Sequence, residues 1–325
     1  MQRRTFLLQC ASLASVSTVP FLSHAQDTYP SQPITVVVGF AAGGGADAVA
    51  RLISSALAQE LKTSIVIENK PGANANIATD SVARSAKNGY TLLYNTSAIT
   101  ISPYLYKSLS YDLKRDLVPI ALTAEIPLIL VTSASNSAKT LDDFIKQLRA
   151  NPNKLNYASS STGNLTHLAA VEFLRVSQTT AFHIPYKSEA PAVTDLIGGR
   201  VEFYIGNANT LLPQIQAGKL TALAVTSGQR LPQLPAVPTL AEALQPGLEM
   251  SAWSGFMAPA GTPESICKKL ESSLQRVVTS PTLSKQISDS GATAHFVNAA
   301  GYQDLIEGEL ARWARVAKEA GIQPE

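Results

Sequence analysis

The stretch 34–51, Ile-Thr-Val-Val-Val-Gly-Phe-Ala-Ala-Gly-Gly-Gly-Ala-Asp-Ala-Val-Ala-Arg, constrains the fold more than any other part of the chain. An apolar strand pattern at 34–38 runs into three consecutive glycines. A helix period follows, with apolar residues at 49, 52, 53, 56, 57 and 61. A strand pattern at 65–68, a helix pattern at 75–86 and a strand pattern at 90–94 complete a βαβαβ order. Parallel strands need crossover helices, so this order predicts an α/β unit on a parallel sheet. The glycine loop aims backbone N–H groups and a positive helix end at whatever lies above it, which suits an anion.

A second α/β set lies further along. The segment 120–133 is nearly continuous apolar sequence, interrupted by Glu125 and Pro127. A strand that long can leave one sheet and enter another. Helix patterns at 141–148, 165–174 and 190–197 then alternate with strand patterns at 155–158, 182–186, 201–205 and 220–226. The proline-rich run 230–238 leads to a strand pattern at 253–258 and helices at 263–278 and 302–320. This order divides the chain into 27–125 as a first lobe, 126–231 as a second, and 232–325 returning to the first with the C-terminal helices.

With 325 residues, 45% of them hydrophobic, the chain can fill one or two cores. Its formal charge of +2 implies neither a nucleic-acid nor a membrane-surface partner. Residues 1–26 read as an export signal: Arg3-Arg4, an uncharged apolar span at 6–22, and Ser23-His24-Ala25 as the cleavage site. Arg3-Arg4-Thr5-Phe6-Leu7 fits the twin-arginine pattern, with the general secretory route as the alternative. Cys10 falls inside this signal, so Cys267 remains alone and no intramolecular disulfide is expected. The expected location is periplasmic.

Gly43, Gly45 and Ala48 fit G-x-G-x-x-A, and Glu68 follows at the spacing of the ribose-binding acid in a dinucleotide fold. An exported NAD(P)-dependent oxidoreductase is therefore the rival reading from another class. No Gly-Lys-Ser/Thr follows the glycines, which excludes a phosphate loop. Asp47 occupies the first helical turn and is expected to brace the loop by accepting backbone N–H groups. A second polar loop spans 157–167. Ser159, Ser160, Ser161, Thr162 and Asn164 there offer donors that can hold a carboxylate without a formal positive charge. His167, at the start of the following helix, reads either as a packed side chain or as a ligand contact. His183 and His295 lack partners at metal spacing, and neither H-E-x-x-H nor G-x-S-x-G occurs. No metal, cofactor or catalytic nucleophile is expected.

Further motifs run from end to end: Tyr29-Pro-Ser-Gln-Pro-Ile, Gly39-Phe-Ala-Ala-Gly-Gly-Gly-Ala-Asp47, Glu68-Asn-Lys-Pro-Gly-Ala-Asn74 and Asn88-Gly-Tyr-Thr-Leu-Leu93. Pro185-Tyr-Lys187, Asp195-Leu-Ile-Gly-Gly-Arg-Val201, Ala258-Pro-Ala-Gly-Thr-Pro263 and Ala311-Arg-Trp-Ala-Arg-Val-Ala-Lys-Glu-Ala-Gly-Ile322 continue them. With these motifs the chain resembles the Bug-type, TctC-like extracytoplasmic solute receptors of tripartite tricarboxylate transporters. The resemblance implies a type II periplasmic-binding-protein fold: two α/β lobes joined by crossing strands, with a ligand cleft between them. It implies capture of a small organic carboxylate by a monomer that serves membrane permease subunits, or a sensor kinase in the alternative.

The implied cleft takes Phe40, Ala41, Ala42, Gly43, Gly44 and Asp47 from the first loop. It takes Ser159, Ser160, Ser161, Thr162, Gly163, Asn164 and His167 from the second. Asn74, Thr96, Ser97, Tyr186, Lys187, Ala190, Gly206 and Asn207 complete the lining. Two departures from the family pattern stand out. The common Gly-Asn-Gly-Thr-Ser is Ser161-Thr-Gly-Asn-Leu165 here, and a frequent Asp-Asn is Gly206-Asn207. Loss of the aspartate argues against an amino-acid ligand. Leu165 and Gly206 leave apolar room for a bulkier or aromatic carboxylate.

Overall fold

The computed structural model describes residues 29–43, 45–319 and 321–324. The export-signal features on 1–26, Cys10 among them, and Gly44 lie outside the described residues.

The expected βαβαβ unit forms. β1 (Ile34–Val38) is flanked in parallel by β2 (Ile65–Asn69) and β3 (Thr91–Thr96), with α1 (Gly45–Leu61) and α2 (Asn76–Ala83) as crossovers. Both faces of β1 are buried, which is why its sequence is continuously apolar. Ile34, Val36 and Val38 share a core with Val49, Ile53 and Leu57 of α1, whereas Val37 joins Ala78 and Val82 of α2. After β3 the short α3 (Ala98–Ile101) and α4 (Leu113–Asp116) lead to β4 (Leu117–Ser133).

β4 serves both lobes. Its segment from Leu117 to Pro127 pairs with β9 (Ser251–Pro259), and in part with β10 (Thr293–Asn298), in the first sheet. From Leu128 onward it pairs with β7 (Phe203–Asn207) and β8 (Leu220–Val225) in the second. The second lobe repeats the α/β pattern. β5 (Asn156–Ser159) lies parallel between β6 (Phe182–Pro185) and β7. α5 (Leu141–Ala150), α6 (Leu165–Ser177), α7 (Glu189–Ile197) and α8 (Ala208–Gln216) connect the strands.

The return crossing passes through α9 (Leu240–Ala243) into β9, which is antiparallel to both β3 and β4. Thr226 staples the outgoing and returning strands. Its N–H donates to Leu128 O at 2.9 Å, its hydroxyl accepts from Leu128 N at 2.9 Å and donates to Met250 O, and its carbonyl accepts from Met250 N at 2.9 Å. α10 (Glu264–Val278) and α11 (Pro281–Asp289) then cover the first sheet beside α1.

The last helix, α12 (Ala299–Glu319), does not rest on the first lobe alone. Tyr302 and Ile306 belong to the first-lobe core, whereas Trp313 and Val316 are buried in the second. Arg315 Nη2 reaches Glu172 of α6 at 3.0 Å. No described helix is long and apolar enough to cross a membrane.

Candidate functional site

A cavity of 620 Å³ lies between the lobes, and four of the longer helices begin at its wall beside the short α3. Gly45 and Ala46 open α1, Asn164 and Leu165 open α6, Ser188 and Glu189 open α7, and Asn207 leads into Asn209 and Thr210 of α8. The topology enforces this gathering. Each helix follows the carboxyl end of a strand, and the two sheets turn those ends toward one crevice. First-turn N–H groups have no intrahelical acceptor, and each dipole puts its positive end there. Neither Ser188 nor Asn207 caps its helix with its side chain, so the first turns of α7 and α8 stay open to a ligand. No lysine or arginine is among the described residues lining the cavity; Glu189 is the one ionisable side chain.

The second polar loop presents a closed ring of hydrogen bonds to the cavity. Ser160 N donates to Thr166 Oγ1 at 2.9 Å, Thr166 Oγ1 to Asn164 Oδ1 at 2.9 Å, and Asn164 Nδ2 to Ser160 Oγ at 2.6 Å. On the opposite wall Asn74 is the middle of three consecutive residues with left-handed backbones, Ala73, Asn74 and Ala75, at φ 46°, 53° and 70°. Each such residue costs about 1–2 kcal/mol. The Asn74 side chain is anchored by donating to Ser102 Oγ at 3.1 Å and to Ala98 O at 3.3 Å.

Sequence reasoning found part of this lining. Phe40, Ala41, Asn74, Thr96 and Ser97 line the cavity from the first lobe, and Ser160, Asn164, Ala190 and Asn207 from the second. Ala42 and Gly43 stay on the exposed rim of their loop. Ser161, Thr162, Tyr186 and Lys187 line an adjoining cavity, which shares Asn74 and Asn164 with the first. Gly163 packs against Leu105.

Three expected contacts face elsewhere. Asp47 is buried beneath the glycine loop, where it accepts from Gly43 N at 2.8 Å, Asn69 Nδ2 at 2.8 Å and Arg51 Nε at 2.9 Å. Burial alone would raise its pKa, but these hydrogen bonds hold it at about 2. Ser159 and His167 turn behind the polar loop. The Ser159 hydroxyl donates to Ser161 O at 3.0 Å, and its oxygen lies 2.6 Å from His183 Nε2. His167 Nδ1 accepts from Gly163 N at 3.0 Å, so its neutral form carries the proton on Nε2. The two imidazoles stack at 3.8 Å and 8°. Burial, and secondarily His183, brings the His167 pKa down to about 3; burial brings His183 to about 4.

Gly206 offers its room to the protein rather than to a ligand. A Cβ there would fall 2.0 Å from Tyr204 Cε1, because the buried Tyr204 ring folds over the glycine. The apolar wall comes instead from Leu165, with Ile101, Ile126 and Ala252. Gly206→Ala is expected to displace the ring and lower stability by about 1–3 kcal/mol, as overpacking does. An unchanged urea midpoint would show that the ring swings aside freely.

Glu189, Asn209 and Thr210 were not legible as cleft residues. Two signals could have found them. Ser188 is an N-cap residue type just before the 190–197 pattern, and Asn207 is one before Leu211, Leu212 and Ile215. The lobes also touch beside the cleft: a Cβ on Gly45 would lie 2.7 Å from Asn209 Nδ2.

Glu68, the acid of the dinucleotide pattern, is not among the described residues lining the cavity; it lies exposed and pairs with Lys70 at 3.2 Å, and the neighbouring Asn69 braces the loop through Asp47. A family model described as the tripartite tricarboxylate transporter family receptor matches residues 49–322. Protein BugT of Bordetella pertussis (strain Tohama I) is 36% identical over 299 residues, 91% of this chain and 92% of that protein. The solved periplasmic binding protein BugD is 32% identical with a TM-score of 0.75, covering 91% of this chain and all of that one, 100%. R. palustris Rpa4515, solved with adipate, is 34% identical with a TM-score of 0.79 over 91% of this chain and 100% of its own. The two lobes and crossing strands are those of a type II periplasmic-binding-protein fold. The chain belongs to the tripartite tricarboxylate transporter receptor family, whose members are solute-binding proteins and not enzymes.

Proposed function

We propose that the chain captures a small organic acid in the periplasm and delivers it to the membrane subunits of a tripartite tricarboxylate-type transporter. The observation that carries this reading is the convergence of the N-termini of α1, α6, α7 and α8 on one interlobe cavity with no lysine or arginine in its described lining. Neutral N–H donors and helix dipoles hold a carboxylate there. Leu165, Ile126 and Ile101 cover its apolar body. A volume of 620 Å³ falls in the range of small-molecule sites, about 300–1,000 Å³. The adipate bound to the R. palustris relative supports the same ligand class. Both lobes supply walls, so the ligand favours the closed arrangement, and closure is the signal that a transporter reads.

A thermal-shift panel of mono-, di- and aromatic carboxylates tests the reading. At a hundredfold excess over Kd a ligand stabilises the fold by about 2.7 kcal/mol. For a chain of this length that corresponds to roughly 4 °C. A blank across the whole panel would remove the carboxylate reading.

A further inference from the structure

α12 joins the lobes a third time, beside the two strand crossings. Its first half is fixed in the first lobe. Tyr302 and Ile306 are buried there, and the Tyr302 hydroxyl donates to Asn95 Oδ1 of β3 at 2.8 Å. Its second half is fixed in the second lobe by Trp313, Val316 and the Arg315–Glu172 pair. A rotation of one lobe against the other that keeps both halves seated must bend the helix between Ile306 and Trp313.

Gly308 stands in that interval, in the interior of a 21-residue helix. A glycine at such a position weakens the helix about fivefold relative to alanine. No packing reason calls for it: the residue is exposed and helical, and a Cβ there would meet nothing within 4 Å. Two residues on, Leu310 O accepts from the Tyr104 hydroxyl at 2.6 Å, in addition to its place in the helix ladder. A side chain that bonds a helix carbonyl from outside favours a bend at that turn. The side chains of the next turn are tied down by contrast. Glu309 Oε2 accepts from Trp313 Nε1 at 2.6 Å, and Glu309 Oε1 pairs with Arg312 at 3.0 Å. Arg312 Nη1 also donates to Glu249 O at 2.6 Å, just before β9 on the returning crossing. A loose residue beside a braced turn concentrates bending at the loose one.

We propose that α12 is a strap between the lobes and that Gly308 is the point where it bends when they part. In the arrangement described, residue 308 is helical and the lobes touch, with Gly45 against Asn209 and Gly163 against Leu105. Parting them bends the strap, and glycine eases the bend because its backbone leaves the helical region most readily. The balance between touching and parted lobes is therefore set partly outside the cleft, by a residue that no ligand contacts.

Gly308→Ala tests this, because the added methyl enters open space. Alanine favours helical geometry at 308 about fivefold more than glycine, so the folding equilibrium in urea should gain about that factor. The parted population should fall about fivefold relative to the touching one. Spin-label distances in the ligand-free protein read the second quantity. One label sits on α1 at Ser55→Cys and one on α5 at Lys146→Cys, both exposed positions, in a Cys267→Ser background. Asp304→Ala is the control: it is exposed on the first-lobe half of α12 and strengthens the helix away from the bend. It should stabilise the fold and leave the distance distribution unchanged. Added stability in Gly308→Ala with an unchanged distribution overturns the proposal. So does an equal shift in Asp304→Ala, or a single separation shared by wild type and variant. An acid that scores in the thermal-shift panel should bind Gly308→Ala up to about fivefold tighter, since the touching state is the competent one. Weaker binding there overturns the proposal as well. A blank panel removes the carboxylate reading and leaves the distance result to decide the strap.

Discussion

Asp47→Ala is expected to lower stability by about 2–4 kcal/mol, and to weaken ligand binding more than any other substitution in the first loop. The carboxylate is 1% exposed and gathers three donors, from Gly43, Asn69 and Arg51. Removing one member of a buried ion pair costs about 3–5 kcal/mol, and the lower range applies because half-exposed Arg51 can return to water. Gly43 N and one Asn69 bond are then left without an acceptor, although Asn69 Nδ2 still reaches Phe40 O at 3.0 Å. The loop would lose the shape that brings Phe40 and Ala41 to the cavity. Asp47→Asn separates charge from shape and should cost less. The sign with pH is that of a depressed carboxyl: the contribution is complete above about pH 4 and is lost as pH falls through about 2. Urea denaturation at neutral pH measures the effect, and an unchanged midpoint for the alanine variant would show that the loop needs no brace.

The second large effect is acid sensitivity from the stacked histidines. Both imidazoles are held neutral in the fold, with pKa values near 3 for His167 and 4 for His183. The unfolded chain takes up these protons near pH 6.5, so stability is complete above that value and declines below it. The slope is at most about 1.4 kcal/mol per pH unit for each histidine, down to the folded pKa. Protonation of His167 would also set a new N–H against the Gly163 amide that its Nδ1 now accepts. The polar loop would be pushed apart from behind. Other groups run the opposite way. His295 is raised by its hydrogen bond to Glu125, and burial raises Glu189 and Glu309. The telling quantity is therefore the difference in pH slope between the wild type and a His167→Asn, His183→Gln double variant from pH 6 down to about 4. Parallel slopes would show that the pair carries no proton linkage.

Much of the fold was legible because its strands are buried on both faces. β1 occupies the 34–38 run residue for residue, and β4 carries its apolar run through both sheets as its length implied. Other elements left fainter traces. α8 contains Pro213 in its interior, and that proline hid the helix that brings Asn209 and Thr210 to the cavity. β10 lies at the margin of the first sheet with an irregular register, so it shows no apolar run. At the site, composition marked the right loops but not the direction of each side chain. Ser159 and Ser160 are adjacent, yet one braces His183 and the other lines the cavity, since successive residues leaving a strand face opposite ways. Glu189 escaped because its helix pattern begins on the apolar residue after it.

The shared strand has a consequence for engineering hybrids of related receptors. The lobes are separate in space but interleaved in the gene, so no single junction exchanges one for another. A hybrid needs one join within β4, where the ladder changes sheets after Pro127, and a second between Val225 and Ser251. Both joins fall beside Thr226, whose bonds to Leu128 and Met250 tie the two crossings together. A donor sequence that preserves the threonine, the residues facing it and the surface that buries Trp313 and Val316 of α12 can graft a new binding wall onto an old frame. One that does not would recombine two well-packed halves through a broken seam.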